Sequence, residues 1–260
     1  MSSNSNYGAI FRLHKEICDF YEFVRPKLHE EQLRQDIINR LSDILVPEFA
    51  EQGKRVRLCC FGSFASGLYL PTADMDLVLL ADTFERTKIK ALNNRALLKA
   101  ARALERAGLC SGRVITITRA RVPIIKFVDR LTNIHVDISF DNLTGVVANQ
   151  TFQEWKQQFP ALPQLIAIIK QFLLMRDLND AATGGLGGFS ITCLVTSLLQ
   201  HHPAVQSGKM IPEHHLGELL IEFFDLYGNK FNKSTTGIMM RPPGYFPKVS
   251  QLLYCERLAD

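Results

Sequence analysis

Three aspartates and a glycine–serine pair are the residues of this chain that could do chemistry. In FGSFASGLYLPTADMDLVLL (residues 61–80), Gly62 and Ser63 are followed by ten residues, then by Asp74 and Asp76 either side of Met75. Residues two apart in a strand share a face, so this spacing sets two carboxylates side by side at the lip of an apolar run, Leu77-Val78-Leu79-Leu80. Like charges so placed raise the pKa of one or both unless a cation compensates. A divalent metal removes that cost. Magnesium fits, because it takes a few carboxylates together with phosphate oxygens and water.

A third carboxylate stands in NIHVDISF, where Asp137 interrupts an otherwise apolar run; Asp141 follows it and ranks second. Three carboxylates allow two metals about 3.5–4 Å apart, the arrangement used for in-line attack on phosphorus. An Asp-x-Asp alone is also what a surface turn offers, and Leu77 to Leu80 supplies no oxygen ligands for a calcium loop. The upstream pair changes the balance. Gly62-Ser63 follows the strand-like RVRLCCF and opens a short predicted helix, so backbone N–H groups and the Ser63 hydroxyl make a phosphate cradle that Gly62 lets a ligand approach closely.

These residues need elements to hold them. Apolar positions at helical spacing predict helices over residues 10–24 and 33–45, separated by Pro26 and stopped at Pro47, with residues 1–8 outside any helix. Five short runs read as strands: residues 55–60, 75–80, 113–118, 122–128 and 135–140. Between the second and third, residues 87–107 form a helix pattern carrying Lys88, Lys90, Arg95, Lys99, Arg102 and Arg106, either a solvated face or a phosphate contact. Residues 162–175, 189–200 and 216–227 are helical again. The fold class expected is α/β plus all-α in two lobes. A small mixed-sheet domain (46–141) and a helical domain (142–260) flank an active-site cleft, and the N-terminal helices (1–45) pack on the helical domain.

Composition is that of an ordinary soluble domain pair: 260 residues, 47% hydrophobic, 22% charged, net charge +4. Six cysteines without a CxxC read as reduced thiols, neither a disulfide frame nor a zinc site. MSSNSNYGAI is not a signal peptide, and residues 186–199 read as a buried helix too short and too rich in Ser and Thr to span a membrane. His201-His202 and His214-His215 have no third ligand at a recognisable spacing. No RNA-recognition aromatic signature, zinc knuckle or Arg-Gly tract is present, so RNA binding by the chain alone is expected to be weak and salt-sensitive.

FGSFASGLYLPTADMDLVLL with the later VDISF resembles the nucleotidyltransferase superfamily typified by DNA polymerase beta. LHKEICDFYEFVRP, IIKQFLLMRDLNDAATGGLGGFSITCLVTSLLQ and GELLIEFFDLYGNKFN narrow the likeness to template-independent, TRAMP-type nuclear poly(A) polymerases, over roughly residues 10–246. The resemblance implies transfer of AMP from ATP to single-stranded RNA 3′ ends. It implies that Asp74, Asp76 and Asp137 bind two Mg2+ ions, for which Mn2+ can substitute, with Gly62 and Ser63 on the nucleotide phosphates. It further implies Gly145 and Asn149 near the sugar, Lys170 on the triphosphate, and Phe189 stacking on the base beside Ser190. Phenylalanine stands where some relatives have tyrosine, so a hydroxyl contact is missing. A zinc-knuckle RNA-binding protein and an RNA helicase are the implied partners, the nucleus or nucleolus the implied location, and no membrane is involved. The family's base-reading segment is expected beyond Asp260, which leaves base choice open; uridylyl or guanylyl transfer and an inactive scaffold are the alternatives.

Each of those residues has a plainer reading too. Lys170 could be a lysine snorkelling at the rim of an apolar helix, Phe189 plain core, Gly145 a turn glycine and Asn149 a helix cap.

Overall fold

A computed structural model describes residues 3–50, 55–81, 93–120, 122–140 and 143–248. They fall into two units, one spanning Val24–Gln153 and the other drawn from Met1–Phe23 and Glu154–Asp260.

Pro26 separates α1 (Ser3–Val24) from α2 (Leu28–Phe49), and α2 opens the first unit. The Glu30 carboxylate accepts the Lys27 N–H at 3.2 Å and caps the new helix. Helix α2 buries Ile37, Leu41 and Leu45 at successive turns. It runs past Pro47 to Phe49, because a proline so near the end removes only one backbone bond.

Five strands follow: β1 (Val56–Phe61), β2 (Met75–Ala81), β3 (Cys110–Ile117), β4 (Ile124–Asp129) and β5 (His135–Phe140), with α3 (Gly62–Ser66) after β1 and α4 (Asn93–Arg106) before β3. They form one mixed sheet in the order β1-β2-β5-β4-β3, in which only β2 and β5 run parallel. Alternation does the sorting. Met75, Leu77 and Leu79, Ile125 and Phe127, and Val136 and Ile138 turn to one face and bury against Ile37, Leu41 and Leu45 of α2 and Leu97, Ala100 and Leu104 of α4. Asp76, Lys126 and Asp137 interleave with them, so they belong to the opposite face.

Helix α5 (Leu143–Gln158) closes the first unit, with its residues up to Gln153 belonging there. The second unit is mainly helical, with α6 (Leu162–Leu174), α7 (Gly188–His201), α8 (Pro203–Gln206) and α9 (Leu216–Asp225). Leu165, Ile169 and Leu173, Ile191, Val195 and Leu199, and Leu216, Leu219 and Phe223 are all buried. Helix α1 joins this unit: Ile17 is buried, and the Leu216 N–H donates to His14 Nδ1 at 3.3 Å.

Four expectations need amending. Helix α2, expected with the later helices, packs on the sheet, because its Ile37-Leu41-Leu45 stripe completes the sheet's core. Helix α1 begins at Ser3, within the stretch expected to lie outside a helix. The last long helix stops at Asp225, where the chain widens into a π turn over Leu226–Lys230, and the Tyr227 hydroxyl donates to the Leu194 carbonyl at 2.8 Å. A hairpin of β6 (Thr236–Met240) and β7 (Pro243–Pro247) was not foreseen, since prolines bracket its second strand. Lys88, Lys90 and Asp141 lie outside the described residues. Among those described, no helix is long and apolar enough to cross a membrane, and the five cysteines are free.

Candidate active site

The first group of site residues lies at one end of β1, β2 and β5. Strand β1 ends at Phe61, paired with Asp76 of β2, and Asp76 is in turn paired with Asp137 on β5. Gly62 then turns the chain with φ +72°, a left-handed conformation that glycine adopts without strain. A Cβ at Gly62 would run into the Asp76 carboxylate. The glycine is therefore required twice, by its backbone angle and by the closeness of the acid. The single turn of α3 is tied by the Ser66 hydroxyl, which donates to the Gly62 and Ser63 carbonyls at 3.0 Å.

Asp74 precedes β2 instead of belonging to it, which refines the picture of two carboxylates on one strand. The approach to it is held from α2 by Arg34, a buried guanidinium that donates to the Pro71 and Ala73 carbonyls at 3.0 and 3.4 Å. It also lies 4.6 Å from the Tyr69 ring centroid and 5.9 Å from that of Phe64 on α3. One side chain thus braces both the glycine–serine turn and the loop carrying Asp74.

Lost hydration raises the pKa of the Asp74 carboxyl; the Asp137 charge pushes it the same way, while His135 and Lys126 oppose. The compensating cation that clustered acids call for is Lys126, whose Nζ lies 2.6 Å from Asp137 Oδ2. The two are cross-strand partners on β4 and β5. Burial works against the charge on Lys126, but its hydrogen bond to Asp137 and the charges of Asp137, Asp74 and Asp76 raise its pKa above the ordinary lysine value. Lys126 and Arg34 are not among the residues expected from the sequence. For Lys126 the available signal was a lone lysine in the apolar run PIIKFV.

Helix α5 lies against the same end of the sheet. Gly145 sits in its first turns, where a Cβ would clash with the Phe61 ring, so it is a packing glycine and not a turn residue. Asn149 is one turn on and is no cap, being mid-helix; its Oδ1 is buried without a hydrogen-bond partner among the described residues, an acceptor suited to a ligand hydroxyl. One turn further, Gln153 Nε2 donates to the Ala65 and Ser66 carbonyls at 3.2 Å. Residues 145, 149 and 153 form one helical face that follows β1 into α3.

The second group belongs to the helical unit. Phe189, the second residue of α7, is 61% exposed, so it is not core, and Ser190 beside it is exposed too. Lys170 of α6 lies half-buried with Nζ 3.2 Å from where a Cβ on Gly188 would stand. An ammonium, a hydroxyl and an aromatic face thus gather at the start of α7. The histidine pairs have structural partners: His202 Nε2 lies 2.8 Å from Glu222, and His215 Nδ1 lies 3.1 Å from Glu218.

Among the described residues no three His, Cys, Asp or Glu side chains converge into a ready-made metal cage. The donor set nonetheless fits magnesium, a hard cation that holds one or two carboxylates and draws the rest of its shell from phosphate and water.

Residues 13–157 match the family described as poly(A) RNA polymerase, mitochondrial-like, central palm domain, and residues 215–253 match the Cid1 family of poly A polymerases. The chain belongs to the poly(A) RNA polymerase palm family. It is 42% identical over 223 residues to Poly(A) RNA polymerase protein 1 of Eremothecium gossypii, an alignment covering 86% of this chain and 34% of that protein. With Poly(A) RNA polymerase protein 2 of Saccharomyces cerevisiae it shares 39% over 235 residues, 90% of this chain and 38% of the relative. The chain thus spans about a third of the length of these relatives. A solved structure of the polymerase core of TRAMP, a RNA surveillance complex, superposes with a TM-score of 0.81 at 36% identity, covering 93% of this chain and 72% of that one. The palm match contains Gly62, Ser63, all three aspartates, Lys126, Gly145 and Asn149.

Proposed function

We propose that this palm-family chain catalyses template-independent addition of AMP from ATP to the 3′ end of single-stranded RNA. The 3′-hydroxyl oxygen forms a bond to the α-phosphorus of ATP, the bond from that phosphorus to the bridging oxygen breaks, and pyrophosphate leaves. Asp137 takes the hydroxyl proton. Gly62 and Ser63 hold the nucleotide phosphates, Gly145 and Asn149 border the ribose, Lys170 offers its charge to the triphosphate, and Phe189 with Ser190 receives the base. Asp74, Asp76 and Asp137 would hold two Mg2+ ions, or Mn2+ in their place, which supply charge neutralisation and a more acidic 3′-hydroxyl when bound.

The observation that carries this reading is the pairing of Asp76 with Asp137 on neighbouring parallel strands, with Gly62 pressed against Asp76. Clustered acids at a strand end have no use in packing. The named activity of the relatives supports adenylate as the transferred group, and the likeness to the TRAMP polymerase core supports a nuclear role in RNA surveillance. A zinc-knuckle RNA-binding protein and a helicase are the partners we propose.

The test is extension of a labelled single-stranded RNA with each NTP in turn, in Mg2+ or Mn2+. A ladder with ATP, reduced by at least about 10²–10³-fold in folded Asp74→Ala and Asp137→Ala, is the expected result. Full activity in either purified variant sinks the assignment, and a ladder with UTP or GTP instead of ATP replaces adenylate with that nucleotide.

A further inference from the structure

Lys126 is the residue of this site that the reading above leaves without a task. Its neighbours Ile125 and Phe127 are buried in the sheet core, so alternation sends its side chain to the face that carries the acids. There it meets its register partner Asp137 at 2.6 Å, on the strand next to Asp76. A lysine needed only for solubility has no reason to stand on a central strand among carboxylates, with 42% of its side chain exposed.

We propose that Lys126 is a resident counter-cation of the aspartate group, holding Asp137 in place and setting how tightly the site takes a divalent metal. The proposal rests on the reading that these aspartates bind metal. A metal that engages Asp137 shares that carboxylate with an ammonium group, and the two cations repel over a few ångströms. Lys126 therefore weakens metal binding while it stabilises the acids against one another. Through Asp137 it is a positioning residue; it is not assigned a contact with substrate.

The sign of this effect separates it from a structural role. Mn2+ binding to the whole chain without nucleotide, read as loss of free Mn2+ signal by electron paramagnetic resonance, is compared for wild type, Lys126→Met, Lys126→Gln and Lys126→Arg. Removing the charge should tighten Mn2+ binding by about tenfold at low salt, and the gain should shrink as ionic strength rises. Lys126→Arg, which keeps the charge, should stay within about twofold of wild type. In EDTA the two neutral variants should melt below wild type and gain more from added Mn2+. Unchanged or weaker Mn2+ binding in folded Lys126→Met and Lys126→Gln overturns the proposal and leaves the catalytic reading standing. Wild-type chain that binds no Mn2+ overturns the metal reading, and this proposal with it.

Discussion

Gly62 illustrates how a single residue can be fixed by chemistry and by backbone at once. An alanine there must hold φ +72° and place a methyl group where the Asp76 carboxylate stands. We expect Gly62→Ala to cost about 1–3 kcal/mol in urea denaturation and to abolish nucleotide addition, because Asp76 must move. Gly108→Ala is the control, with a similar φ of +67° but no described atom within 4 Å of its Cβ. It should lose comparable stability and keep its activity. Equal activity in the two variants would refute the role assigned to the Gly62–Asp76 contact.

Strands β4 and β5 carry Lys126 and Asp137, and the turn between them sets their register. That turn is pinned by Asp129, which is 1% exposed. It accepts from both terminal nitrogens of Arg40 on α2 at 3.0 and 3.2 Å, and from the Thr132 hydroxyl and N–H at 2.8 and 2.9 Å. Burial alone would raise its pKa, but the Arg40 and Thr132 bonds outweigh burial and lower it below the usual carboxylate value. Since the folded pKa lies below the unfolded one of about 3.9, the stabilisation is complete above that pH and disappears as pH falls through the folded value. Asp129→Ala should cost about 1.5–3 kcal/mol at pH 7, the loss of charge-assisted hydrogen bonds whose remaining partner Arg40 is still reached by water. Measured in urea at pH 7, 5 and 3, the gap between wild type and variant should hold from 7 to 5 and narrow by 3. A gap that widens toward acid would contradict the argument.

At the scale of the molecule one unit is built from two separate stretches of chain: α1 packs with the helices that follow residue 153. Ile17→Ala, a cavity at a site 1% exposed, should therefore destabilise that unit by about 2–5 kcal/mol, read as a lower midpoint in thermal unfolding. A midpoint unchanged from wild type would mean α1 is dispensable to the helical core. Charge also acts at this scale. Arg95, Lys99, Arg102 and Arg106 share an exposed face of α4, with Glu48 pairing Lys99 at 4.0 Å and Arg106 at 3.2 Å. If all four meet RNA phosphate, affinity for single-stranded RNA should fall roughly 50-fold between 50 and 200 mM salt. Arg95→Glu with Arg102→Glu should flatten that slope in a filter-binding titration; an unaltered slope would assign the face to solvent alone.

Much of this protein could be read from residue order. Apolar periodicity separated strands from helices, and the spacing of Gly62, Asp76 and Asp137 anticipated their meeting at one end of the sheet, because alternation and burial are local properties of a chain. The sequence could not say that α2 lies on the sheet, since an apolar stripe such as Ile37-Leu41-Leu45 does not name the surface that covers it. Nor could it hand Asp137 a lysine eleven residues upstream, make Gly145 the seat of the Phe61 ring, or tie Arg34 to the loop before Asp74. Those pairings depend on strand order and helix docking, which bring together residues far apart in the chain. Their energies come from contacts that exist only once the tertiary structure has formed.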